Sequence, residues 1–232
     1  MPQYGEPDYW DKRYSNQKEK TFDWLENWAS LKPTVEKLID KDARILMLGC
    51  GNALISQEMY DDGYKNIANI DISSVCIENM KERNFERSEM TWEVMDVTDI
   101  KYDDQTFDLA IDKSTIDALL CGDDSFLNVA KMTKEVQRVL KTGGYYFVIS
   151  YGQPDNRNHH FLRPHLDFNL EYGTVYPVDC KEEDKINKEH YIYTCQKGPK
   201  ADENCEAHWE EVETELIEEA ENKMQIRAAE LD

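Results

Sequence analysis

Nowhere along the 232 residues do apolar side chains run for the roughly 20 consecutive positions that a membrane-spanning helix needs. The opening Met1-Pro2-Gln3-Tyr4-Gly5-Glu6 carries neither a basic stretch nor an apolar one, so no secretory leader is expected. Cysteine is sparse and scattered, at Cys50, Cys76, Cys121, Cys180, Cys195 and Cys205, with no Cys-x-x-Cys pair and no His/Cys grouping at zinc spacing. That disfavours a disulfide framework and a metal site, and points to reduced thiols in a cytosolic or nuclear compartment, of which the cytoplasm is the one expected. Basic residues are scarce too: 27 Lys and Arg stand against 48 Asp and Glu, a formal net charge of −21. Such a chain lacks the basic face that nucleic-acid phosphates require, and an anionic membrane surface repels it. A basic protein is the partner that opposite fields favour, although acidity alone also keeps a protein in solution. Internal repeats and long Gly/Ser/Pro linkers are absent.

What is present is a chain long enough for one α/β domain with a full core and some appended structure. Arg44-Ile45-Leu46-Met47-Leu48 is a short apolar run, the pattern of a strand buried on both faces of a parallel sheet. A glycine turn follows, then a helical stretch over 53–61 closed by Gly63. Residues 67–70 read as a second strand ending at Asp71, with Ser73 or Ser74 capping a helix that runs to Arg83. Strands are expected at 90–95, 107–111 and 145–149, with a helix over 129–140 before the last. This alternation is the signature of a Rossmann-like, doubly wound, mostly parallel sheet. Beyond Tyr151, two β-like runs at 166–176 and 190–195 flank the charged Lys181-Glu182-Glu183-Asp184-Lys185, and are expected as an antiparallel strand pair at one sheet edge. Residues 202–232 hold 12 acids and 2 bases. Trp209, Val212, Leu216, Ala220 and Met224 give that segment a narrow apolar stripe at helical spacing. The expected organisation is therefore one domain over 1–200, with 1–40 as an aromatic lid segment, and an acidic amphipathic helix or tail over 201–232.

Four features carry chemistry. Gly49-Cys50-Gly51, between a buried strand and a helix, lets backbone approach a ligand closely and offers helix N-terminal amides. A dinucleotide site would place a third glycine at position 54, where this chain has Leu54; that favours a nucleoside without a 5′ phosphate, S-adenosylmethionine rather than NAD. Asp71 follows Gly51 by 20 residues, the place from which a carboxylate accepts hydrogen bonds from ribose hydroxyls. Asp96 ends the next strand, within reach of an adenine amino group and with the Val97 amide beside it; each acid alone also reads as a turn or cap aspartate, but two in register at consecutive strand ends favour the ligand. Asp112-Lys113-Ser114-Thr115-Ile116-Asp117 follows the fourth strand, so Asp112 and Asp117 are candidates to orient an incoming amine, and Lys113 to reach ligand or loop backbone. Lastly, Tyr9, Trp10, Tyr14, Phe22, Trp24 and Trp28 precede the first strand. Trp10 and Tyr14 share a helix face and fit either a lid over the cofactor or ordinary packing.

Taken together, Asp8-Tyr9-Trp10-Asp11-Lys12-Arg13-Tyr14, Phe22-Asp23-Trp24, Ile45 to Asn52, Met95-Asp96-Val97 and Asp112 to Leu120 resemble the seven-β-strand methyltransferases of the methyltransferase-like 13 type. That group includes the elongation factor 1-alpha lysine methyltransferase encoded beside endothelin-converting enzyme 2. The likeness runs from about residue 4 to 152. It implies a seven-stranded sheet, S-adenosylmethionine as cofactor and S-adenosylhomocysteine as product. It also implies cofactor contacts at Trp10, Tyr14, Trp24, Gly49, Asp71, Ile72, Asp96, Val97 and Lys113, with Gly51 added from the glycine turn, and a lysine of elongation factor 1-alpha as methyl acceptor. Two departures stand out: Ser114 where the family usually has glycine, and Ile72 where an aromatic is common. The alternatives to a protein-lysine methyltransferase are a small-molecule methyltransferase and a non-catalytic binding module on the same fold.

Overall fold

Ile45–Leu48, four apolar residues with no solvent face, form β1 in the interior of a seven-stranded sheet. A computed structural model describes residues 4, 6–16, 21–122, 124–181, 185 and 188–229. The expectations for Met1 to Gln3 and Gly5, for Glu182 to Asp184, and for the last three residues lie outside them.

Around β1 the chain places β2 (Ile67–Asp71), β3 (Thr91–Val94), β4 (Phe107–Lys113), β5 (Leu140–Ser150), β6 (Phe168–Val175) and β7 (His190–Lys197) in the order β3-β2-β1-β4-β5-β7-β6. The first five strands run parallel, and β7 enters antiparallel between β5 and β6. The mostly parallel seven-stranded sheet and its antiparallel C-terminal pair are thus as the sequence indicates. Strand order reverses between β1 and β4, and ligands bind beyond the carboxyl ends of strands at such a switch point.

The helices are α1 (Pro7–Ser15), α2 (Trp28–Leu38), α3 (Ile55–Asp61), α4 (Ser74–Arg83), α5 (Thr115–Leu119), α6 (Ser125–Val139), α7 (Asn158–Phe161) and α8 (Ala201–Ala229). Ser73 caps α4 by accepting from the Cys76 amide at 3.1 Å, one of the two serines the sequence offers for that role. The α6 helix starts four residues before the expected Val129, because Phe126 and Leu127 already belong to its buried face. Three helices, α2, α5 and α7, are additions. In α2, Asn27 caps the Ser30 amide, and Trp28, Leu31 and Val35 are buried at helical spacing; α5 is a single short turn hung on β4.

Two hydrophobic layers cover the sheet. One joins α6, α7, β6 and β7 to one face through residues such as Val136, Phe161 and Tyr193. The other packs α1, α2, α3 and α4 on the opposite face through Trp28, Val35, Met59 and Ile77. Helix α8 docks on α6 by Val212 and Leu216, which are buried with Leu127 and Ala130. Its expected apolar stripe stops short: Met224 is 58% exposed.

Candidate active site

At the carboxyl ends of β1, β2 and β4 lies a cleft of about 350 Å³. Its floor is the turn after β1, where Gly49 and Gly51 take φ of +54° and +53°, the left-handed region that costs a side-chain-bearing residue about 1–2 kcal/mol. Space is as tight as the backbone: a Cβ on Gly49 would stand 2.4 Å from Thr115 Oγ1, and one on Gly51 would stand 2.9 Å from the Tyr14 hydroxyl. Thr115 is held there because its hydroxyl donates to the Leu48 carbonyl at 2.9 Å. The Cys50 amide donates to the Ile70 carbonyl at 2.9 Å, tying the turn to β2.

Asp71 closes the far side of this turn. One carboxylate oxygen accepts from the Gly51 amide and the other from the Ser73 amide, each at 2.9 Å. Burial raises its pKa to about 6 against the pull of those two donors. Asp96 is exposed, and one of its oxygens takes both the amide and the hydroxyl of Thr98 at 2.8 Å. Ile72 and Val97 line the cleft beside these acids.

The N-terminal segment forms the opposite wall. Trp10 and Tyr14 stack at 5.8 Å with 22° between their planes, and both face the cleft together with Trp24. Asp11 reaches across to accept from the Ser73 hydroxyl, so α1 is pinned to the start of α4. The cation these rings hold within the chain is Arg13, whose guanidinium carbon lies 5.7 Å from the Trp10 ring centroid, 5.3 Å from that of Phe22 and 5.0 Å from that of Trp24. Tyr14 is buried, which pushes its hydroxyl pKa well above the ordinary value, with Asp71 adding to the effect.

Lys113 reaches loop rather than open space. Its ammonium donates to Asp23 Oδ1 at 3.0 Å and to the Trp24 carbonyl at 2.9 Å. Burial lowers its pKa, and the Asp23 carboxylate opposes that shift. The second Asp23 oxygen accepts from the Leu54 amide at 3.4 Å. The segment over 21–26 is therefore fastened to both β4 and the start of α3.

All ten expected cofactor contacts, Trp10, Tyr14, Trp24, Gly49, Gly51, Asp71, Ile72, Asp96, Val97 and Lys113, line this one cleft, as does Asp117. Asp112 does not, and the expectation that it faces the acceptor is corrected. Its carboxylate is fully buried on the other side of β4, accepting from the Thr115 amide at 2.8 Å, the Ile116 amide at 3.2 Å and the Tyr146 hydroxyl at 2.8 Å. Burial raises its pKa to about 7. Asp117 faces the cleft with both oxygens engaged: Oδ1 pairs with Arg157 Nη2 at 2.7 Å and accepts from the Ser150 hydroxyl, while Oδ2 accepts from the Ser114 hydroxyl at 3.1 Å and the Tyr151 amide at 3.2 Å. Ser114 has φ of +71°, which is the physical reason a glycine suits that position; its bond to Asp117 offsets part of the strain.

Sequence reasoning singled out neither Asp23, which anchors Lys113, nor Thr115, which fits against Gly49, nor Tyr151. Asp23 carried a signal, lying between Phe22 and Trp24 in a motif already recognised.

A protein-family model described as a methyltransferase domain matches residues 39–221. Among curated relatives, the eEF1A lysine and N-terminal methyltransferase of Mus musculus is 39% identical over 154 residues, covering 65% of this chain and 22% of the relative. Its Drosophila melanogaster homolog is 36% identical over 191 residues, 81% of this chain and 28% of that one. The EEF1A lysine methyltransferase 4 of Mus musculus is 30% identical over 181 residues, 74% of this chain and 71% of that protein. The chain thus spans about a fifth of the length of the first of these relatives. Among solved structures, a SAM-dependent methyltransferase from Methanosarcina mazei superposes with a TM-score of 0.54 at 19% identity, over 72% of this chain and 97% of that one. A geranyl diphosphate C-methyltransferase from Streptomyces coelicolor, solved with S-adenosyl-L-homocysteine, gives 0.55 at 13% identity over 73% and 80% of the two chains. These two share the fold. With the family model matched across most of its length, the chain belongs to the methyltransferase domain family.

Proposed function

We propose that this protein is an S-adenosylmethionine-dependent methyltransferase acting in the cytoplasm on a lysine of a basic protein, elongation factor 1-alpha foremost. One observation carries the cofactor assignment. At the β1/β4 switch point, two left-handed glycines with no room for a Cβ face a buried carboxylate at the end of β2. Such a cradle admits a nucleoside against bare backbone and offers its ribose an acceptor. The acceptor assignment is supported by the names of the relatives, an eEF1A lysine and N-terminal methyltransferase and an EEF1A lysine methyltransferase, and by the net charge of −21, which draws a basic protein.

Asp71 would accept from the ribose hydroxyls; with a pKa of about 6 it is ionised at neutral pH. Ile72 and Val97 would flank the adenine, with Asp96 at its edge. The wall of Trp10, Tyr14 and Trp24, fastened by Lys113 through Asp23, keeps water from the reacting centre. When bound, the cofactor supplies a methyl group on a sulfonium, an already activated leaving group, so catalysis rests mainly on alignment. A lysine amine, with an ordinary pKa of about 10.4, must first shed its proton. Aromatic side chains and the apolar residues of α5 border one end of the cleft, and desolvation there favours the neutral amine. Asp117, neutralised by Arg157, orients that end rather than taking the proton, which leaves to solvent. The reading is tested by incubating the protein with elongation factor 1-alpha and methyl-labelled cofactor. Label recovered as methyl-lysine supports it; binding of S-adenosylhomocysteine without transfer to any protein refutes the acceptor.

A further inference from the structure

Of the large apolar side chains that stand exposed among the described residues, two line the cleft: Phe22, 42% exposed, and Tyr151, 57% exposed. Phe22 belongs to the N-terminal wall, and Tyr151 follows the end of β5. Neither is needed to hold a nucleoside, whose contacts lie at the β2 and β3 ends. An exposed aromatic is an ordinary surface feature when it is loosely held, but Tyr151 is built into place from both sides.

Its backbone amide is fixed by Asp117 Oδ2 at 3.2 Å, and the next residue is clamped. The Gly152 amide donates to the Ser150 hydroxyl at 3.0 Å, and the Gly152 carbonyl accepts from the Tyr193 hydroxyl at 2.5 Å. The Arg157 guanidinium lies so close over Gly152 that a Cβ there would come within 2.2 Å of it, and its Nε donates to Ser150 Oγ at 3.0 Å while Nη2 pairs with Asp117. The ring itself rests edge-on against His190, 5.3 Å away at 89°. His190 in turn donates through Nδ1 to Oε1 of Glu26 at 2.7 Å, and Glu26 is a buried carboxylate of the N-terminal wall. Both the loop that carries Tyr151 and the surface its ring leans on are thereby tied to elements that form the cleft.

We propose that Phe22 and Tyr151 are the acceptor-contact residues, gripping the methylene stem of the incoming lysine between two aromatic faces, and that Arg157 and His190 are positioning residues for Tyr151. The inference rests on the protein-lysine reading above. An unbranched apolar stem ending in an amine suits a slot with aromatic sides beside a carboxylate, Asp117, that Arg157 already pairs. The stem packs on the rings while the nitrogen passes inward to the methyl group.

The test is steady-state transfer from labelled S-adenosylmethionine to recombinant elongation factor 1-alpha, with cofactor affinity measured separately by calorimetry. Tyr151→Ala is expected to raise the KM for the protein about tenfold while kcat and cofactor Kd stay within about twofold. Arg157→Lys keeps the charge but loses the planar fork, and is expected to raise the same KM about threefold without moving cofactor affinity. Phe85→Ala removes a phenyl that is 76% exposed and remote from the cleft, and serves as the unaffected control. An unchanged protein KM in Tyr151→Ala, with the wild type active, overturns this inference alone; a lower kcat at constant KM in Arg157→Lys overturns the positioning role. A wild type that binds cofactor and labels no protein overturns the function and this inference together.

Discussion

Replacing Gly49 with alanine strikes the cradle at two points, and the structure lets each be weighed. At φ of +54° an alanine is in the left-handed region, at a cost of about 1–2 kcal/mol. Its Cβ would also meet Thr115 Oγ1 at 2.4 Å, so the hydroxyl must swing away and give up its bond to the Leu48 carbonyl, about 1 kcal/mol more. Gly49→Ala should therefore destabilise the fold by about 2–3 kcal/mol and weaken S-adenosylhomocysteine binding as the turn shifts. Thr115→Ala alone should cost about 1 kcal/mol. In the double variant the clashing oxygen is gone and the remaining Cβ would lie 3.3 Å from the new methyl, a distance a small adjustment relieves. The two costs should then fall short of adding by about 1 kcal/mol, the coupling expected of residues in contact. Urea unfolding of the four proteins, with calorimetry of ligand binding beside it, makes the cycle. Strict additivity would refute the argument that Gly49 is glycine because Thr115 occupies the space.

Asp71→Ala should weaken S-adenosylhomocysteine binding by about 1.5–3 kcal/mol, and in the wild type affinity should fall as pH drops through about 6; calorimetry at two pH values checks both, and pH-independent affinity would count against the ribose role. Lys113→Met leaves the Asp23 carboxylate without its partner, so the 21–26 segment should lift: limited proteolysis within it should quicken and cofactor affinity drop, while a protected segment would show that Lys113 does not fasten the wall. The raised pKa of Asp112, about 7, means the folded state holds its proton more tightly than the unfolded chain. Its contribution to stability therefore falls as pH rises from about 4 to about 7, so wild type should lose stability relative to the non-titrating Asp112→Asn over that range. A gap independent of pH in denaturant unfolding would contradict the buried assignment.

The central strands were legible because a parallel strand covered on both faces reads as an unbroken apolar run, as Ile45–Leu48 does. The acids at strand ends were legible for a related reason: Asp71 ends a run whose spacing from the glycine turn is set by one helix. Shorter elements gave less. In α5, five residues make too little periodicity to register, and Pro33 inside α2 masks that helix. Asp112 and Lys113 are adjacent on β4 and so must point to opposite faces. The sequence alone does not say which face holds the cleft, and so does not show that Asp112 points away from it. The residues that hold others in place, Asp23, Thr115 and Arg157, act across long stretches of chain. Their partners become visible only when the sheet brings them together.

The most direct measurement is transfer of labelled methyl from S-adenosylmethionine to elongation factor 1-alpha, followed by acid hydrolysis and separation of the amino acids. The account predicts label in methylated lysine, lost with Asp71→Ala in step with weakened cofactor binding. Label confined to small molecules, or none at all from a protein that binds S-adenosylhomocysteine, would contradict it.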